Sequence, residues 1–224
     1  MSQDAANDTL REMLVRGLDS LGLALPAVAH QRLLDYLAQL QKWNKAYNLS
    51  GIRDPHDMLV LHLLDSLAVA SHLGPQEDSI ADVGTGAGLP GIPLAIACPD
   101  KRFLLIDSNS KKTRFMFQTA TLLGLDNVEV VHSRVQDYES DPQVAIVVSR
   151  AFASLTDFVT RCAPLLQPDG RFLAMKGLLP EAEIAQLPPG YRVVACHPLR
   201  IPGAAVSRHL LDIRAPETGR QGQA

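Results

Sequence analysis

Two rhythms of apolar residues meet near Gly74-Pro75. Before that point apolar residues return every three or four positions: Leu10, Met13, Leu14, Leu18 and Leu21; then Leu33, Leu34, Leu37, Leu40 and Trp43; then Met58, Leu59, Leu63, Leu64 and Leu67. This spacing predicts three amphipathic helices. Pro26 suits the first turn of the second helix, and Asp54-Pro55 reads as N-cap and first helical residue of the third. After Gly74, apolar runs at 79–83, 102–107, 128–132, 144–149 and 171–176 alternate with helical patterns near 90–98, 110–123, 154–166 and 180–187. Nearly continuous apolar runs suit strands covered on both faces, and the alternation predicts a mostly parallel sheet with right-handed crossovers. The last two runs, 191–199 and 208–215, are separated by Pro202-Gly203 and small residues, so they should pair as an antiparallel hairpin at the sheet edge. The expected fold is α/β, with a mostly parallel seven-stranded sheet. Residues 1–74 form a helical extension packed on the core, 75–216 the ligand-binding domain and 217–224 a flexible polar tail.

Composition narrows the function classes. A chain of 224 residues with 46% hydrophobic and 20% charged residues suits one sizeable soluble domain plus an extension. A net charge of −3 means that any nucleic-acid contact must come from a local basic patch. Cys98, Cys162 and Cys196 lie far apart with no CxxC spacing, which argues against a disulfide framework or a zinc site and fits a reducing cytoplasm. The histidines lack metal-ligand spacing, so no metal is expected. The start "MSQDAANDTLREML" is polar and acidic, unlike a signal peptide, and charged residues interrupt every apolar run short of a membrane span.

The chemistry concentrates in "IADVGTGAGLPG", residues 80–91, at the end of the first predicted strand. In an open parallel sheet that loop is a favoured ligand seat, and bare glycines let backbone close on a ligand. Gly84, Gly86 and Gly88 read GxGxG, with Leu89 where a dinucleotide loop needs glycine. Pro90 and Pro93 remove N–H donors from the helix start that would cradle a pyrophosphate. Asp107 ends the second strand, 107 − 84 = 23 residues on, near the offset of the acid that accepts from ribose hydroxyls; it also reads as a helix cap together with Ser108 and Asn109. Val135 and Gln136 follow the third strand, where they can flank an adenine ring and bond its edge. Three consecutive strand ends make a nucleoside slot that suits S-adenosylmethionine better than NAD.

The segments "ADVGTGAGLPGIPLAI", "WNKAYNLSGIRDP", "HLLDSL", "VVSRAFASL" and "AMKG" together resemble the bacterial 16S rRNA guanine-N7 methyltransferase G family, also called glucose-inhibited division protein B, from about Leu10 to Leu211. The resemblance implies a class I, Rossmann-like methyltransferase fold and S-adenosylmethionine as methyl donor. It also implies methylation of one guanosine at N7 in a small-subunit rRNA loop near the decoding centre. Gly84, Leu89, Val135 and Gln136 then match cofactor contacts, and Arg150 matches the arginine that faces donor and substrate. Gln136 stands where relatives often carry an acid, and Ala87 replaces a proline of some relatives.

Guanine N7 carries a lone pair, so its methylation needs no base, and Arg150 is expected to orient O6 or a phosphate. The partner implied is 16S rRNA or the small-subunit ribonucleoprotein, with a monomer as the default. Lys101, Arg102, Lys111, Lys112 and Arg114 form a basic cluster expected to contact RNA, continued by Lys42, Lys45 and Arg53. Lys176, ending the fifth strand, joins Lys111, Lys112 and Arg114 as an RNA contact or stands as a surface ammonium. Trp43 and Tyr47 read as core packing rather than base stacking. Asn44 and Asn48 are candidates to brace the glycine loop. His62 and Asp65 share a helical face, either entering the active site or linking the extension to the sheet as a hydrogen-bonded pair.

Overall fold

Seven strands run in the order β3-β2-β1-β4-β5-β7-β6 through one twisted sheet of the computed structural model, which describes residues 3–150 and 152–215. The strands are β1 (Ser79–Val83), β2 (Arg102–Asp107), β3 (Val128–His132), β4 (Val144–Ser149), β5 (Leu166–Lys176), β6 (Arg192–Pro198) and β7 (His209–Arg214). The first five pair in parallel, and β7 pairs antiparallel with both β5 and β6. The terminal hairpin forms as expected, with β7 inside the sheet and β6 at its edge. Every residue of β1 and β4 is buried, the pattern of strands covered on both faces, whereas β6 alternates between exposed and half-buried positions.

The helices are α1 (Gln3–Ser20), α2 (Ala27–Tyr47), α3 (Pro55–Met58), α4 (Asp65–Leu67), α5 (Gly91–Ala97), α6 (Ser110–Leu123), α7 (Leu155–Cys162) and α8 (Glu181–Ala185). Leu14, Leu33, Leu37 and Leu40 of the first two helices share one core with Ile80, Ile92, Leu105 and Phe115. Thus α1, α2, α5 and α6 cover one face. The other face packs Val83, Ile106 and Val147 against Phe158 of α7 and Phe172 of β5.

Local chemistry explains the helix ends. The Asp54 side chain accepts from the amides of His56 and Asp57 with Pro55 in the first turn. Asn109 caps α6 by accepting from Lys111 and Lys112, and Gly124 ends it in the left-handed region at φ 60°. Two expectations need correction. The third helix is α-helical only at its ends, widening to π-helical turns over Leu59–Leu64. The helix expected over 154–166 stops at Cys162; Pro164 falls in a tight 3₁₀ turn, Ala163–Leu165, and the chain enters β5 at Leu166 rather than 171. The tail assigned to 217–224 lies outside the described residues.

Candidate cofactor and substrate site

Beyond β1, the glycine loop holds Gly84, Gly86 and Gly88 at φ 68°, 65° and 85°, a region that side chains disfavour. Two carboxylates lock it in that shape. Asp82 is fully buried; its Oδ2 accepts from the Thr85 hydroxyl at 2.5 Å and the Gly91 amide at 2.8 Å, while its Oδ1 has no partner among the described residues. Burial pushes the Asp82 carboxyl up to about 6, with the bonds from Thr85 and Gly91 and the charge of Arg150 pulling back. Asp107, at the end of β2, accepts the Gly86 amide at 2.9 Å through Oδ2 and the Asn109 amide at 2.8 Å through Oδ1. From the helical side, the Tyr36 hydroxyl donates to the Ala87 carbonyl at 2.8 Å, and burial raises that phenol far above its usual range.

A cavity of about 430 Å³ opens at this end of the sheet, lined among others by Gly84, Asp107, Val135, Gln136, Phe152 and Arg161. That volume suits a nucleoside with a short tail. The residues present fit S-adenosylmethionine: a Cβ built on Gly86 would meet nothing nearer than Lys112 Nζ at 3.9 Å, so bare backbone faces open space beside the Asp107 carboxylate. A smaller cavity of about 190 Å³, walled by Arg102, Asp126, Glu129, Tyr138 and Asp141, lies at the amino ends of the strands, where open α/β sheets do not seat ligands.

The expected site residues separate into three groups. Gly84, Asp107, Val135 and Gln136 surround the cavity, and Gly86 borders it through Asp107. Gly88 and Leu89 do not line it: a Cβ on Gly88 would strike the Ile92 side chain, and Leu89 is buried in the core. Arg150 sits beside the glycine loop, on the side of the N-terminal helices. Its NH1 lies 3.0 Å from Oδ2 of Asp65, a fully buried carboxylate whose Oδ1 accepts from Arg208 Nε at 2.8 Å.

The expected His62–Asp65 pair is not formed. In the wide π-helical turns residues three apart no longer stack, and His62 turns instead to Ser50, Nε2 to Oγ 2.6 Å, with its Nδ1 3.1 Å from the Leu61 carbonyl. Burial, reinforced by Arg150, lowers the His62 pKa to about 4. Asn44 does not brace the glycine loop; it folds its own segment, donating to the Ile52 carbonyl at 3.0 Å and accepting the Ser50 amide at 2.8 Å. Tyr36 supplies the brace.

The basic cluster also divides. Lys101 is drawn inward, its ammonium donating to the carbonyls of Gly74 and Glu77 at 2.6 and 2.7 Å, and Arg102 starts β2 at the end remote from the glycine loop. Lys112 leans over the slot, 3.9 Å from Asp107 Oδ2. Lys111 and Arg114 stay exposed. Lys176 is not a surface ammonium: Glu183 holds it at 2.8 Å, and it donates to the Phe152 carbonyl at 3.2 Å. Trp43 lies edge-on to Phe115, the packing role read from its spacing, whereas Tyr47, tilted against Trp43 at 5.1 Å between ring centres, stays 45% exposed and does not enter the core. Among the described residues no group of three or more His, Cys, Asp or Glu is placed to hold a metal, and no helix is long and apolar enough to cross a membrane.

Sequence reasoning missed Asp82, Thr85, Tyr36, Phe152 and Arg161. An acid inside the apolar run "IADV" was a usable signal, because a buried carboxylate requires donors. Nothing local marks Tyr36, which lies 51 residues before its partner.

The sheet order, the bare loop after β1 and the acid after β2 define a Rossmann-like S-adenosylmethionine-dependent methyltransferase. The fold agrees with solved structures of a SAM-dependent methyltransferase from Aquifex aeolicus (TM-score 0.57, 19% identity, 74% of this chain and 96% of that one). It agrees somewhat less closely with one from Thiobacillus denitrificans in complex with S-adenosyl-L-homocysteine (TM-score 0.51, 17% identity, 77% and 96%). Within that class the sequence is more specific, because residues 29–211 match the family described as rRNA small subunit methyltransferase G. Relatives named ribosomal RNA small subunit methyltransferase G are 50% identical in Marinobacter nauticus, over 91% of this chain and 94% of that protein, and in Pseudomonas aeruginosa strain PAO1, over 90% and 94%. The chain belongs to the rRNA small subunit methyltransferase G family. It is a methyltransferase, and S-adenosylmethionine is its methyl donor.

Proposed function

We propose that the chain methylates N7 of one guanosine in 16S rRNA, acting as a monomer in the cytoplasm. In this reading residues 75–216 form the catalytic unit and 1–74 the extension that braces it. The carrying observation is the placement of Arg150 beside the glycine loop, held by the buried Asp65 carboxylate while still a quarter exposed. Bound in the slot, S-adenosylmethionine supplies an electrophilic methyl group on a sulfonium with a neutral thioether as leaving group. Gly84 and Gly86 offer bare backbone to its amino-acid end and ribose, and Asp107 accepts from ribose hydroxyls. Val135 flanks the adenine, and Gln136 bonds its edge. Guanine N7 has no proton to remove, so orientation is what the residues must supply, an effect worth ~7–11 kcal/mol where alignment is complete. Arg150, its carboxylate partner fixed, orients O6 or a phosphate and leaves N7 open.

The test is tritiated methyl transfer to small subunits, and separately to naked rRNA, from a strain lacking the activity, followed by mapping of N7-methylguanosine. Label at one guanosine is expected. Absence of label, or label on another base or atom, removes the reading.

A further inference from the structure

Helix α6 starts at the slot, where Lys112 is part of the wall, and runs outward with an unusual exposed face. Lys111, Arg114, Phe117, Gln118, Thr121 and Leu122 are all exposed, and Phe117 keeps 65% of its surface in solvent. The helix carries three cations and no Asp or Glu. Cations in a first helical turn oppose the helix dipole, so their position is not explained by helix stability. Among the described residues neither Lys111 nor Arg114 has an ion-pair partner. Asp107, which ends the strand leading into α6, accepts from the Gly86 and Asn109 amides and lies 3.9 Å from Lys112, not beside Lys111 or Arg114.

We propose that this face holds unpaired RNA beside the methylated nucleotide, with Phe117 as the surface on which one base stacks and Lys111 and Arg114 on the flanking phosphates. The inference rests on the rRNA-methylation reading above. Arg114 and Phe117, three residues apart, share a face, and Lys111 lies a further turn toward the slot, so the three span ~9 Å along the helix. Every base has a flat π surface, so an aromatic ring next to a row of cations takes single-stranded RNA without a sequence code. The charge favours RNA over a protein partner, since protein interface centres are depleted in lysine.

The experiment measures methylation rate against small-subunit RNA concentration at several salt concentrations for Phe117→Ala, Phe117→Leu, Phe117→Trp and Arg114→Gln, with S-adenosylhomocysteine affinity and sedimentation alongside. Loss of stacking should raise KM for RNA about fivefold or more in the Ala and Leu variants. kcat, cofactor affinity and the salt slope stay unchanged in both, and Trp retains tight binding. Arg114→Gln should lower the salt slope by about one phosphate contact. Wild-type chain that methylates while Phe117→Leu matches it overturns this inference alone. A dimer that Phe117→Ala dissociates assigns the face to a second copy and also overturns it. A wild-type chain that leaves rRNA unmethylated overturns the reading beneath it as well.

Discussion

Replacing Asp82 by Asn tests how the glycine loop is held. The carboxyl is fully buried with one oxygen lacking a partner, and its pKa rises from the ordinary 3.8 to about 6, chiefly through burial. The folded chain therefore keeps a proton that the unfolded chain releases between about pH 4 and 6, and stability falls as pH rises through that window. Above both values the full penalty applies: 6 − 3.8 = 2.2 units corresponds to roughly 3 kcal/mol. Asn keeps an oxygen for the Thr85 hydroxyl and the Gly91 amide but cannot ionise. Its NH₂ group, like the wild-type proton, meets no acceptor among the described residues, so absolute stabilities can stand close together. The informative quantity is the difference between the two unfolding curves across pH. Urea unfolding at half-unit steps from pH 4 to 7.5 should show the variant gaining about 2.4 kcal/mol on the wild type as pH rises, because part of the penalty is already present at pH 4. Glu77, where the Arg171 and Gly74 bonds outweigh burial and hold the carboxyl below its usual value, has the opposite sign and cancels because both chains contain it. Parallel curves would refute the reasoning, because Asp82 would then ionise in the folded chain as easily as in water.

Three further outcomes follow from the loop and its surroundings. Gly86→Val should cost cofactor affinity at least about tenfold, from the strain of a β-branched residue at φ 65° rather than from collision; calorimetry with S-adenosylhomocysteine showing retained affinity would contradict the loop assignment. Lys112→Glu should weaken cofactor binding by setting a second carboxylate near Asp107, whereas Lys111→Glu should leave the cofactor unchanged and reduce RNA affinity together with its salt dependence; equal effects on the cofactor would place both lysines wrongly. Tyr36→Phe leaves the Ala87 carbonyl without its buried donor, a loss of about 1–3 kcal/mol by urea unfolding, and a neutral result would show that the contact does not hold the loop.

Strand and helix order were legible because each apolar run carried its own period. The bare loop after β1 was legible because GxGxG and Asp107 sit at intervals set by the βα unit, and the structure shows the three glycines at positive φ with Asp107 bonded to Gly86. What escaped depends on contacts between distant segments. The pairing of Asp65 with Arg150 joins residues 85 apart, and the sequence suggested His62 instead because α-helical spacing was assumed where the backbone is π-helical. Lys101 and Lys176 read as surface cations because charge alone does not reveal a buried carbonyl or Glu183 nearby. Leu89, expected from the resemblance as a cofactor contact, places its side chain in the core, a burial that the loop sequence alone does not announce.

The position of β7 bears on how the chain is made. Ribosomes deliver β5 and β6 before β7, yet β7 must enter between them and bring Asp212 to Arg171. Until β7 emerges, the nascent protein carries β5 with one side open and β6 with no neighbour, the kind of edge that invites pairing with other chains. Completion of this sheet thus waits on the arrival of β7: the methyltransferase holds β5 and β6 unjoined until the strand that follows both of them in the chain has been made.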